Sequence, residues 1–214
     1  MIQTLSKNIQ NETLIFTNQK AIFWEREKTV IISDLHVGKS AHFRKSGIAV
    51  SSEILLDDLK VLENLIEYFH AEKLIIVGDL FHAGMNSDLN IFCEWRNKYS
   101  SLKIILVKGN HDRIQAQFYE ENCIEIVEDL IEIEPFTFIH EPNNHSEKFS
   151  ISGHIHPGII LYGKAKQAIK LPCFAISENQ IILPAFSKFT GLYTKSLHQN
   201  FKFIAFTKGT IFEV

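Results

Sequence analysis

Residues 29–36 read Thr-Val-Ile-Ile-Ser-Asp-Leu-His. Thr29 to Ile32 is β-branched and apolar, the composition of a buried strand, and within two residues the chain turns polar and sets Asp34 and His36 one residue apart. A cationic stretch follows, with Lys39, His42, Arg44 and Lys45. The carboxylate and imidazole suit a metal ion, and the cations beyond them suit a phosphate.

The same punctuation recurs after other apolar runs. Val77 is followed by Gly78-Asp79-Leu80-Phe81-His82, and Val107 leads to Gly109-Asn110-His111-Asp112. Ile139 precedes His140, and Ser152 precedes Gly153-His154-Ile155-His156. Five successive strands are thus expected to end in Asp, His or Asn. Ligands of open α/β sheets collect at the carboxyl ends of strands, so these groups should converge on one edge. Any single one reads as an ordinary loop residue; the joint pattern reads as a metal site.

Between the strands, Leu55, Leu59, Leu62, Ile66 and Phe69 recur at helical spacing over 52–70, with serines available as caps. Leu89 to Tyr99, capped by Asn86 or Ser87, and Arg113 to Glu120 read as two more helices, alternating with strands at 74–77 and 102–107. This β-α-β-α-β order predicts a largely parallel sheet. An opening hairpin is expected from Thr13–Phe16 and Ala21–Trp24. The second half carries short strands near 136–139, 149–152, 181–183 and 201–206 with little helix. No linker is visible, so the expectation is two sheets in one domain over residues 1–214.

Composition sets bounds on function. Hydrophobic residues make up 45% and charged ones 22%, ordinary for a globular chain. A net charge of -3 provides no global attraction to nucleic acid or anionic membrane, so an anionic substrate must be drawn by a local basic patch or by metal ions. Cys93, Cys123 and Cys173 are odd in number and without a CxxC, and read as buried thiols. Residues 1–11 lack the pattern of a secretory signal and no apolar run approaches the ~20 residues of a membrane span, so the expected location is cytoplasmic, without membrane. A homo-oligomer is compatible with this composition.

The ligand set Asp34, His36, Asp79, Asn110, His140, His154 and His156 mixes oxygen and nitrogen donors without thiolate. That set suits Mn, Fe, Zn, Co or Ni and disfavours Ca or Mg alone. Seven donors exceed what one ion with open positions needs. They suit two ions sharing a carboxylate, the ~3.5–4 Å clamp used for in-line displacement at phosphorus.

In order and spacing these motifs resemble the calcineurin-like metallophosphoesterases, from residue 30 to about 160. The resemblance implies a four-layer α/β/β/α sandwich. It implies that Asp34, His36, Asp79 and His156 hold one metal and that Asp79, Asn110, His140 and His154 hold the other, with Asp79 and a water or hydroxide bridging. It leaves His111 outside the ligand set, free to stabilise the transition state or protonate the leaving oxygen. Asp112 would either orient His111 or cap the loop. At His82 many relatives carry Asp, so this imidazole is expected either to face substrate or to support the ligands.

A narrower resemblance covers nearly the whole chain. DLHVGKSAHFRKSG, GDLFH, SGHIHPG, KLPCF and LPAFSKFTG are similar to the bacterial ligase-associated phosphoesterases, which are grouped with a DNA ligase and a DEXH-box helicase in DNA repair. This implies a manganese-dependent DNA endonuclease or phosphodiesterase. Lys39, His42, Arg44, Lys45 and His82 are then the candidate substrate contacts. Lys164, Lys166 and Lys170 form a second basic run, expected to be a solvated strand edge. Phe186, Phe189 and Tyr193 are expected in the core more than against bases. The alternatives are hydrolysis of a small nucleotide or cyclic nucleotide, and a non-catalytic partner of a helicase or ligase.

Overall fold

The structure, a computed structural model, describes residues 1–51, 53–82, 84, 86–142, 148–164, 167–195, 197 and 201–214. Ser52, one of the serines available as helix caps, and Lys166 of the second basic run lie outside the described residues.

The apolar run Thr29–Ile32 forms strand β4, after β1 (Thr4–Ile9), β2 (Glu12–Thr17) and β3 (Ile22–Trp24). It is flanked in space by β3 and by β5 (Lys73–Val77), then β6 (Lys103–Val107) and β7 (Ile124–Val127), so the first sheet follows chain order. Its β1–β4 half is antiparallel and its β4–β7 half parallel. Four helices interrupt the parallel half: α1 (Lys39–Lys45), α2 (Glu53–Phe69), α3 (Ser87–Lys98) and α4 (Ala116–Glu121). The Asn86 side chain caps α3 by accepting the Asp88 N–H.

Strands buried on both faces read as continuous apolar runs, and β4 shows why. Val30 and Ile32 point to the helix side, where Leu55, Leu59 and Leu62 of α2 and Phe92 and Trp95 of α3 close one core. Ile31 points the other way, against a second sheet. That sheet contains β8 (Leu130–Ile133), β9 (Phe136–Ile139), β10 (Phe149–Ser152), β12 (Ala168–Ile176), β13 (Gln180–Ile182), β14 (Lys202–Phe206) and β15 (Ile211–Glu213), with β11 (Gly158–Tyr162) paired to β12. Phe136, Phe138, Ile151, Phe174, Ile181 and Phe206 pack onto Ile31, Ile75, Val77 and Ile105 to form the inter-sheet core.

The two-sheet sandwich is therefore the expected one. All α-helices among the described residues belong to the first half, and the outer face of the second sheet carries a small cluster around Ile159, Cys173 and Ala205. The five ligand-bearing strands are not successive: β7 and β8 stand between β6 and β9. Both set an exposed Glu between isoleucines that are buried or half-buried, a weak apolar signal. Of the cysteines only Cys173 is buried; Cys93 is half-buried and Cys123 exposed. No helix among the described residues is long and apolar enough to cross a membrane.

Candidate metal centre

Strands β4, β5 and β6 of the first sheet and β9 and β10 of the second all deliver their following residues to one place. Each sheet contributes its parallel portion, so the carboxyl ends lie side by side. The loops are tied to one another within each sheet, and one bridge crosses the sandwich. Asp34 N–H donates to Gly78 O, Gly153 N–H to His140 O, and Ser33 forms a parallel bridge with Ala185.

The loops are unusual in backbone. Asp34, His36, Asp79, His154 and His156 all have φ between 52° and 66°, a region that non-glycine residues seldom occupy. Such conformations cost free energy and persist where the surroundings over-determine them, which is typical of functional sites. Close approach matters as much. A Cβ on Gly78 would lie 1.9 Å from His140 Nδ1, and one on Gly109 would lie 2.3 Å from Asp79 Oδ1.

Two clusters result, Asp34–His36–His156 and Asp79–His140–His154, each with ligand atoms within 4.8 Å of one another. Asp79 stands between them, its Oδ2 4.0 Å from His36 Nε2 and 3.6 Å from His140 Nε2. Asn110 Oδ1 lies 3.1 Å from His140 Nε2, and His154 Nδ1 lies 3.2 Å from that same nitrogen. Asp34 Oδ2 accepts the His154 N–H at 3.1 Å, and Asp79 Oδ1 accepts the His111 N–H at 2.9 Å. The structure thus brings all seven expected ligands together.

Whether these groups fit cations can be read from what they lack. Asp34 Oδ1 and both ring nitrogens of His36 are buried without a hydrogen-bond partner. Asp34 Oδ1 does lie 3.2 Å from His156 Nε2, its neighbour in the same cluster. Orphaned buried polar atoms are costly, and cations would satisfy them. Burial, then the nearby Lys39 ammonium, pushes the His36 pKa down to about 3, so the ring is neutral and free to ligate. Burial raises the Asp79 carboxyl, with His140 opposing. Burial also raises Asp34, but His156, His140 and the Ser33 hydroxyl together outweigh it and the net direction is down. The donors fit divalent ions.

The remaining candidates divide. The His82 ring stacks on His111 with centroids 4.7 Å apart and stands 5.3 Å from His36. Burial, then the neighbouring His111, lowers the His82 pKa to about 4. Asp112 does not hydrogen-bond the His111 ring: its carboxylate accepts the Phe81 N–H at 2.8 Å and the Gly109 N–H at 2.9 Å, clamping the loops after β5 and β6. Burial lifts its pKa to about 6. Lys39 lies in the field of Asp34 and Asp79, and the His42 ring lies 5.7 Å from that of His82. Arg44 turns back to Asp88 at 3.0 Å, while Lys45 is exposed at the end of α1. Lys164 and Lys170 are exposed, as a solvated edge should be. Phe186 is core, Phe189 half-buried, and Tyr193 39% exposed, so the core expectation fails for Tyr193.

Sequence reasoning missed Ser187, Lys20 and Asp58. Ser187 N–H donates to Asp34 O, and Phe186 N–H to Ser33 O, so segment 185–189 braces the first metal-facing loop. Lys20 Nζ holds Phe186 O and Ser187 O, and Asp58 accepts the Lys188 N–H. Residues 183–191 carried the resemblance, but nothing in their chemistry announces a bracing role.

The calcineurin-like phosphoesterase family model matches residues 27–166. The chain belongs to that family. This metal-dependent phosphoesterase is 28% identical to Pseudomonas putida nuclease MPE, over 99% of this chain and 100% of that one, with a TM-score of 0.84. The Escherichia coli phosphoesterase Yfce is 16% identical over 86% of this chain and 90% of its own, with a TM-score of 0.43. A protein of unknown function from Aquifex aeolicus is 19% identical over 64% and 81%, with a TM-score of 0.40. No curated protein sequence matches the phosphoesterase significantly.

Proposed function

We propose that this phosphoesterase is a binuclear, manganese-dependent DNA endonuclease acting in DNA repair. The observation that carries the DNA substrate is the full-length likeness to a nuclease at 28% identity and a TM-score of 0.84. The two adjoining donor clusters, with Asp79 between them, support the binuclear reading. Zn, Fe, Co or Ni would fit the same donors. The repair setting, beside a DNA ligase and a DEXH-box helicase, rests on the sequence motifs.

In this reading Asp34, His36 and His156 hold one ion, Asn110, His140 and His154 the other, and Asp79 both. When bound, the ions neutralise phosphate oxygens and make a nucleophilic water available near neutral pH. The protein's own groups do the rest. The Asp79 carboxylate fixes the His111 backbone, and the His82 ring stacks on its imidazole, which stands 5.5 Å from the His36 ring. His111 then gives its proton to the leaving oxygen. Asp112 keeps the two loops in register through their backbones. Lys39 opposes the charge of the DNA backbone beside the scissile diester as it enters.

The test is incubation of the purified protein with manganese and circular plasmid DNA, in parallel with an aryl phosphodiester and a monoester. DNA nicking that Asp79→Ala reduces at least ~1000-fold, a rise of about 4 kcal/mol in the barrier, is the expected result. Diester cleavage without DNA cleavage would assign the site to a small nucleotide instead.

A further inference from the structure

A seven-residue helix is too short to hold itself together, and of α1 only Ser40 is buried. Its position is imposed from outside. Asp88, in the first turn of α3 and 2% exposed, takes three donors from it: Ser40 Oγ at 2.8 Å, Ala41 N–H at 3.2 Å and Arg44 Nη2 at 3.0 Å. Just before the helix, Gly38 has φ 90° and packs so closely that a Cβ would lie 2.5 Å from Asn86 Nδ2. On the other side the Phe43 ring meets Phe189 edge-on, with centroids 5.2 Å apart. A carboxylate buried as deeply as Asp88 is costly unless fully paired. Here all its partners among the described residues come from one short helix, which points to a helix whose place matters.

The strap also sorts the cations of α1. Arg44 is committed to Asp88. Lys39 stays in the field of Asp34 and Asp79, and His42 stands beyond His82, itself 5.3 Å from His36. His42 is therefore two rings out from the clusters. A lone diester held by the clusters would not reach it, but the neighbouring phosphates of a strand, spaced by about 3.4 Å per nucleotide along the axis, would.

We propose that Asp88 is a positioning residue for a polynucleotide: by strapping Ser40, Ala41 and Arg44 it holds Lys39 and His42 against the phosphates flanking the scissile one. Arg44 is part of the strap rather than a phosphate ligand. The inference rests on the reading of the site as a DNA phosphodiesterase.

The experiment compares the manganese-loaded full chain with Asp88→Asn, which keeps the shape and one acceptor but loses the charge. Each is assayed on a DNA oligonucleotide and on an aryl phosphodiester. For Asp88→Asn the KM for DNA rises about tenfold with kcat within about twofold, the aryl diester is cleaved as before, and bound manganese is unchanged. The salt dependence of kcat/KM on DNA flattens by roughly 0.7 for each phosphate that α1 no longer engages. Arg44→Gln raises the DNA KM as far, and the double variant no further, because both act through one strap. Three results overturn the proposal: an unchanged DNA KM, an equal loss on both substrates, or Arg44 and Asp88 effects that add. Should Asp88→Asn not fold, Arg44→Gln alone decides, since it leaves the buried acceptor with its Ser40 and Ala41 donors. A wild-type protein that cleaves the aryl diester but not DNA sinks the substrate reading itself, a failure visible before any variant is made.

Discussion

The strand-end loops carrying Asp34, Asp79 and His154 and the helix α1 beside them are held by different means. The loops carrying Asp34 and Asp79 are buried and the one carrying His154 is partly exposed. They are tied by backbone hydrogen bonds within each sheet, linked between the sheets by His154 N–H to Asp34 Oδ2, and carried on strands whose Ile31, Val77 and Phe138 lie in the inter-sheet core. Their left-handed residues are affordable because that core over-determines them. Helix α1 rests on side chains: the Asp88 carboxylate on one flank and the Phe189 ring on the other. A main-chain framework tolerates little change and fixes chemistry. A side-chain strap can be altered singly and sets which substrate is held. Damage to the loops should therefore remove turnover on every phosphodiester, whereas damage to the strap should discriminate between substrates.

The largest effect expected inside the framework without loss of metal is at His111. Its backbone is tied to Asp79 but its ring is not a member of either cluster. His111→Asn should lower kcat on the aryl diester by about 10²–10⁴-fold, the usual worth of a positioned proton donor, with bound metal unchanged. Full activity in that variant would remove His111 from the chemistry and leave the turnover to the donors of the two clusters.

Metal itself gives the next measure. Manganese at about 100 times its Kd should stabilise the protein by about 2.7 kcal/mol for each ion held, seen as a rise in Tm over the chelated form. Gly78→Ala, whose Cβ would press on His140 Nδ1, should abolish most of that rise, while Asp88→Asn should keep all of it. A strap variant without the manganese-dependent shift would erase the distinction between the two regions.

How much of this is legible in the sequence follows the same division. Val30, Ile31 and Ile32 are apolar on successive positions because both faces of β4 are covered, and the polar residues after β4, β5, β6, β9 and β10 announce themselves against such runs. Strand ends and donor types are local properties, so the candidate metal donors can be read directly. Arg44 and Asp112 cannot be. Arg44 looks free because Asp88, its partner, is 44 residues away, and Asp112 looks like a partner for its neighbour His111 although its acceptors are taken by Phe81 and Gly109. β7 and β8 are invisible because an exposed Glu stands between the isoleucines of each edge strand. Pairings over long separations leave no periodic trace.

The smallest effect lies where the two regions join. Segment 185–189 touches the framework through Asp34 O and the rim through Phe43, and it is seated on Asp58 and Lys20. Burial raises the Asp58 pKa from 3.8 to about 6, only partly offset by the Ser187 hydroxyl, the Lys188 N–H and Lys20. A carboxyl raised on folding favours the folded state below its unfolded pKa and loses that contribution as pH climbs through its folded one. Asp58 therefore contributes more at pH 4 than at pH 7, by roughly 2 kcal/mol for a shift of this size. Asp58→Asn has no such ionisation, so its stability relative to wild type should worsen by that amount when urea unfolding is repeated at pH 4 instead of pH 7. An equal deficit at both pH values would mean that the brace is held by the Lys188 and Ser187 hydrogen bonds alone, and that the joint between framework and rim carries no charge of its own.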